Sequence, residues 1–137
     1  MENTWVRLIL ATLAGLIAAV FIVGAVESAG HMIFPPPEGL DMTKPEDQAR
    51  LMEVIPTGAK VTVVVAWFLG SLCGAAVATL VGKTITPGWI VAGFMVLASI
   101  FTTQMFPHPT WMVVAAIFVP VMGKLLADQL LKSRLSS

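Results

Sequence analysis

Between Arg7 and Glu27 the chain carries no charged residue, and the stretch from Leu8 to Val26 is apolar almost throughout. Glu27 follows Arg7 by about 20 residues, or about 30 Å of helix at 1.5 Å per residue, which is the thickness of a bilayer's hydrocarbon core. A helix here sets Arg7 at one membrane boundary and Glu27 at the other. The run exceeds the apolar core of a secretory signal, which is about 7–15 residues long, so it reads as a retained span and not as a cleaved leader.

Three further apolar runs follow. The expected spans cover about 5–33, 60–82, 87–106 and 109–131, within one domain of 137 residues. Charged residues make up 12% of the chain, against about 25% in soluble domains, and mean hydropathy is +0.88. The fold class expected is therefore an all-α membrane protein, a bundle of four transmembrane helices embedded in the lipid bilayer. The formal net charge is zero, so nothing points to nucleic acid. The one cysteine, Cys73, excludes an internal disulfide and a two-cysteine redox mechanism within one chain.

The loop of about 34–59 is the single long polar segment. It carries Glu38, Asp41, Glu46, Asp47 and Glu53 against Lys44 and Arg50. Thr43-Lys44-Pro45-Glu46 has the form of a capping box and predicts a short helix over about 44–54. Leu51, Met52 and Ile55 would give it one apolar side, for lying on the bilayer or lidding the bundle.

Small residues recur every fourth position in two spans: Ala11, Gly15 and Ala19 in the first, and Ala66, Gly70, Gly74, Ala78 and Gly82 in the second. Such faces let helix backbones approach closely, here in this subunit or in another. They suggest assembly as a homo-oligomer or within a larger membrane complex. In the last span Pro120 should kink the helix, and Lys124 and Asp128 should snorkel or pair. With the N-terminus cytoplasmic, Arg7, Lys83, Lys124, Lys132 and Arg134 all lie inside and the acidic loop lies outside, which satisfies the positive-inside rule with both termini in the cytoplasm.

Candidate functional residues gather where spans end. Glu27 and His31 stand one turn apart on one helix face, ahead of Pro35–Pro37, which stop the helix. Gln104 and His108 repeat that spacing at the end of the third span. His108, between Pro107 and Pro109, is also a candidate N-cap for the fourth span. Up-and-down topology brings both histidines to one side, and Glu53 on the loop helix can join them. Glu27, His31, Gln104, His108 and Glu53 therefore form the candidate ligand or proton site. A metal site of Glu27, His31 and His108 is one alternative; a Glu27–His31 pair that merely anchors the helix end is another. No cofactor is implied and no catalytic residue stands out: Ser28 and Glu27 are adjacent on a helix and point apart, and there is no HExxH motif. Gly82-Lys83-Thr84 is no P-loop, because Val77 replaces the required glycine and no strand precedes it.

The segment Glu27, His31, Pro35, Pro36, Pro37, an E-x3-H-x3-P-P-P pattern, resembles small bacterial four-span inner-membrane proteins of no assigned function. The resemblance implies location in the inner membrane. The chain departs from small multidrug exporters, which need a mid-span glutamate where Ala14 and its neighbours are apolar, and from membrane thiol oxidases, which need cysteine pairs. The leading functional expectation is a non-enzymatic assembly or accessory subunit with an outer-face polar site. A small transporter or channel using Glu27 and His31 comes next, then a metal-dependent membrane enzyme.

Overall fold

The structure is a computed structural model that describes residues 4–35, 38–41, 43–105 and 108–135; the side chains of Met52 and of 133–135 lie outside the description. The expectations placed on Pro36, Pro37, Phe106, Pro107 and the Met52 and Arg134 side chains therefore fall outside the described residues. Five helices follow in order: α1 (Thr4–Ile33), α2 (Pro45–Val54), α3 (Thr57–Gly82), α4 (Thr86–Met105) and α5 (Thr110–Leu135). Helices α1, α3 and α4, and Thr110–Lys132 of α5, are long and apolar enough to cross a membrane. The chain is an all-α, multi-pass membrane protein built as a bundle of four spanning helices. Helix α2 is the short helix expected between the first two spans.

Helix α3 is the centre of the bundle. Its apolar window is 39% buried inside the protein, against 17% for α1, and it touches α1, α4 and α5. Helices α3 and α4 share the middle, while α1 and α5 flank them without meeting. Lipid-facing positions are large and apolar, among them Phe21, Leu97, Phe101 and Leu130.

Close approach of α1 to α3 accounts for both small-residue repeats. A Cβ on Gly15 would stand 2.6 Å from the Gly74 carbonyl oxygen and 2.8 Å from Ala78 Cβ. One on Gly74 would stand 2.8 Å from Ala19 Cβ, and one on Gly70 would meet Val23. At the ends, Gly82 faces Ala11 and Gly30 faces Thr62. Each step of four along α1 is matched by a step of four back along α3, which is the register an antiparallel pair requires. The face that the sequence offers for contact with this subunit or another is thus occupied within one chain, and any assembly must use other surfaces.

Helix ends show how polar backbone is satisfied. Arg7 Nε donates to the Val81 carbonyl at 3.1 Å, one of the four carbonyls that α3 leaves unpaired at its C-terminus. Lys83 then turns the chain in a left-handed conformation, φ 57° and ψ 30°, with its N–H on the Thr79 carbonyl at 2.8 Å. The expected capping box does not form. Lys44 is the N-cap and makes no side-chain cap bond. Thr43 instead donates its N–H (3.0 Å) and Oγ1 (2.6 Å) to Asp41 Oδ1, while Asp47 Oδ2 accepts from the Asp41 N–H at 2.8 Å. The Asp41 turn competes for the Thr43 hydroxyl and wins.

Helix α5 begins at Thr110, one residue past the expected start, with the Pro109 carbonyl accepting from Met112 at 3.0 Å, so Pro109 rather than His108 occupies the cap position. The helix continues through Pro120 as one element, and Ser71 Oγ on α3 donates to the Pro120 carbonyl at 2.5 Å. Nearby, Gly123 lets α5 rest directly on the α3 backbone at Phe68 and Leu72.

Candidate functional site

Four separated segments converge where α1 ends. Glu27 and His31 come from the last turns of α1, Thr62 and Val63 from the second turn of α3, Thr102 from the last turn of α4, and His108 from the short connection into α5. Together they line one cleft of about 230 Å³. The cleft is held open by local packing. Gly30 admits the Thr62 side chain, and Gly58 lies under the Phe34 ring, where a Cβ would stand 2.5 Å from Cζ. These contacts fix the end of α1 against the start of α3. Ile55 and Val63, which line the cleft, also pack against a core cluster of Trp67, Met112 and Ala116. Leu51 and Ile55, at the end of α2, cover one side.

The cleft's polar groups are arranged as acceptors. Thr62 Oγ1 donates to the Gly58 carbonyl at 2.8 Å and Thr102 Oγ1 to the Ala98 carbonyl at 3.0 Å. Each hydroxyl proton is spent on its own helix one turn back, which leaves the oxygen lone pairs available. The half-buried Glu27 carboxylate interacts through space with His31 but makes no hydrogen bond or ion pair with another described residue. The expected direct Glu27–His31 pair is therefore replaced by two groups that share a cleft.

Glu27, His31 and His108 are thus brought together as expected, while Gln104 and Glu53 are not. Both are exposed and neither lines the cleft. The reason is the same for each. Successive residues on a helix turn by about 100°, so two residues on are turned by about 200°. Thr102 faces the cleft, which turns Gln104 away. Leu51 and Ile55 face it, which turns Glu53 away. Helix α4 also ends at Met105, so Gln104 and His108 share no helix face. Among the described residues no three of His, Cys, Asp and Glu are placed to hold one metal ion, so Glu27, His31 and His108 line a common space without forming a ligand cluster. Gly15, Gly70, Gly74 and Ala78 are packing residues of the α1–α3 contact.

A second polar group lies at the opposite end. Lys124 was expected to snorkel or pair; it pairs, and it does not snorkel. Its side chain is 0% exposed and its Nζ is bonded to Asp128 Oδ2 one turn on. The ammonium also lies 4.1 Å from the centre of the Trp89 ring. Gly88 makes the room, since a Cβ there would stand 3.5 Å from Lys124 Cε and 3.0 Å from Thr79 Oγ1. Thr79 Oγ1 and Asp128 Oδ1 are buried without hydrogen-bond partners. The signals in the sequence were opposite charges at i,i+4 inside an apolar run and a Trp beside a Gly at the start of α4.

No known family, curated protein or solved structure matches this chain. What fold and site define is a class: a multi-pass, four-span helical membrane protein with a polar-rimmed cleft at one end and a buried ion pair at the other.

Proposed function

We propose that the protein is a small non-enzymatic component of a bacterial inner membrane, an assembly or accessory subunit whose recognition site is the Glu27/His31/His108 cleft. One observation carries the reading: the end of α1 and the connection into α5, distant in sequence, put three ionisable side chains into one small cleft beneath α2. Recognition is favoured over catalysis because the Thr62 and Thr102 hydroxyls donate to backbone carbonyls, so neither is activated by a neighbouring base. Arg7 and Lys83 lie at the end remote from the cleft, with Lys132 and Arg134 following in the last turns of α5. The positive-inside rule then sets both termini in the cytoplasm and the cleft on the outer face. The resemblance carried by Glu27, His31 and Pro35–Pro37 supports the inner membrane as the location.

Native mass spectrometry of the protein extracted gently from its own membrane tests this, with metal analysis of the same sample. A larger assembly that is weakened by Glu27→Gln or His108→Ala supports the accessory role. A lone chain in every extraction overturns it. The buried Lys124–Asp128 pair favours one second reading, a small oligomeric transporter or channel, because ionisable groups inside a span commonly mark ion pathways. Under that reading Glu27→Gln changes the pH dependence of flux and leaves assembly intact.

A further inference from the structure

Resting on the cleft as a recognition site, we infer that it takes a primary alkylammonium: an R–NH₃⁺ head with an apolar tail, as in an ethanolamine phospholipid or a free long-chain amine. The inventory of hydrogen-bonding groups points there. Glu27, ionised, only accepts. The Thr62 and Thr102 hydroxyls have already donated, at 2.8 Å and 3.0 Å, and can only accept from a ligand. His31, when neutral, contributes one acceptor beside one donor. The matching head is rich in donors and positively charged. An anionic head meets the Glu27 carboxylate, and a quaternary ammonium has no N–H to offer.

Size and position select an amphiphile. A volume of about 230 Å³ is below the roughly 300–1,000 Å³ of sites that enclose drug-sized molecules, so the cleft takes a head and its first methylenes and no more. The walls that receive the methylenes are Ile55 and Val63, and the cleft opens at the membrane boundary marked by Glu27. Beside it Met32 and Ile33 of α1 are 83% and 70% exposed, an apolar surface along which a tail can continue into lipid.

The test uses the full chain, purified in detergent and stripped of lipid, with bound ligand counted by native mass spectrometry. Four probes are compared: dioctanoyl phosphatidylethanolamine, dioctanoyl phosphatidylcholine, dioctanoyl phosphatidylglycerol and dodecylammonium. The ethanolamine lipid, dodecylammonium or both should bind at least tenfold more tightly than the choline and glycerol lipids. Retention of the ethanolamine lipid assigns the site to a membrane lipid; retention of dodecylammonium alone assigns it to a free amine. Glu27→Gln should lose at least tenfold of that binding. Ile55→Trp, which fills the cleft from the α2 side and leaves the carboxylate in place, should lose it too, with helix content and elution volume unchanged. Equal binding of all three lipids, preference for the glycerol lipid, or full binding by either variant overturns the inference. These readouts need no partner protein, so loss of the accessory role and loss of the ammonium site are seen separately.

Discussion

Replacing Lys124 by Met removes a buried ammonium and keeps the length of the side chain. Asp128 then holds a carboxylate that is 22% exposed, with Oδ1 already unpartnered. Deleting one member of a buried pair costs about 3–5 kcal/mol, because the other charge is left uncompensated. Lys124→Met belongs near the lower end, about 3 kcal/mol, since Asp128 retains some access to water. Asp128→Leu belongs near the upper end, about 5 kcal/mol, since the ammonium is 0% exposed and keeps only the Trp89 ring, a contact of about 2 kcal/mol at best when desolvated. The double variant Lys124→Met/Asp128→Leu removes both desolvation costs and should return to within about 1 kcal/mol of the parent. Reversible unfolding by steric trapping in bicelles measures all four proteins and closes the double-mutant cycle. Single substitutions costing under about 1 kcal/mol each, or costs that simply add in the double variant, would refute a desolvated pair and mean that Lys124 reaches water.

Four further outcomes are expected. Gly15→Leu and Gly74→Leu should each destabilise by at least about 2 kcal/mol, since backbone carbonyls stand where the new side chain must go, whereas Gly24→Ala, whose Cβ meets nothing within 4 Å, should change stability by less than about 0.5 kcal/mol; the same unfolding assay decides, and equal effects at Gly15 and Gly24 would show that the α1–α3 register is wrong. Lys83→Gly should stabilise by about 0.5–1 kcal/mol by removing the left-handed strain at φ 57°, read from the same transitions. The Asp41 turn should be sensitive to acid: hydrogen bonds from Thr43 hold its carboxyl below the usual 3.8, so the turn's contribution is complete above about pH 3.8 and is lost as pH falls through the lower value. The Thr43 amide resonance, followed by NMR in nanodiscs, reports it, and a midpoint above 3.8 would contradict the geometry. Finally, Gln104→Ala and Glu53→Ala should leave the cleft's ligand binding unchanged, within about twofold, because both side chains face away from it.

Four spans, their ends within a few residues and the loop helix were all legible in the sequence. Inside hydrocarbon the backbone must satisfy itself, so an apolar run of sufficient length has little choice but to be helical. Up-and-down crossing of four spans then set which ends share a side, and that brought Glu27, His31 and His108 to one end of the bundle. What failed was finer. Gln104 and Glu53 were near the site in sequence and on the wrong face of their helices. The Thr43 cap lost to the Asp41 carboxylate. Nothing in their own neighbourhood marks Thr62 and Phe34; they matter only where the end of α1 meets the start of α3.

Sequence by itself determined the class of solvent this protein folds in, the number of crossings, and the small-residue faces that let two helices touch, since each follows from local composition and a period of four. Only tertiary structure decided which helix meets that face, that Lys124 is enclosed rather than drawn out to the interface, and that three ionisable side chains share one small volume. Those facts depend on rotation of each helix about its axis and on which helices are neighbours, and neither is encoded in any one segment: both come from the packing of all four spans at once.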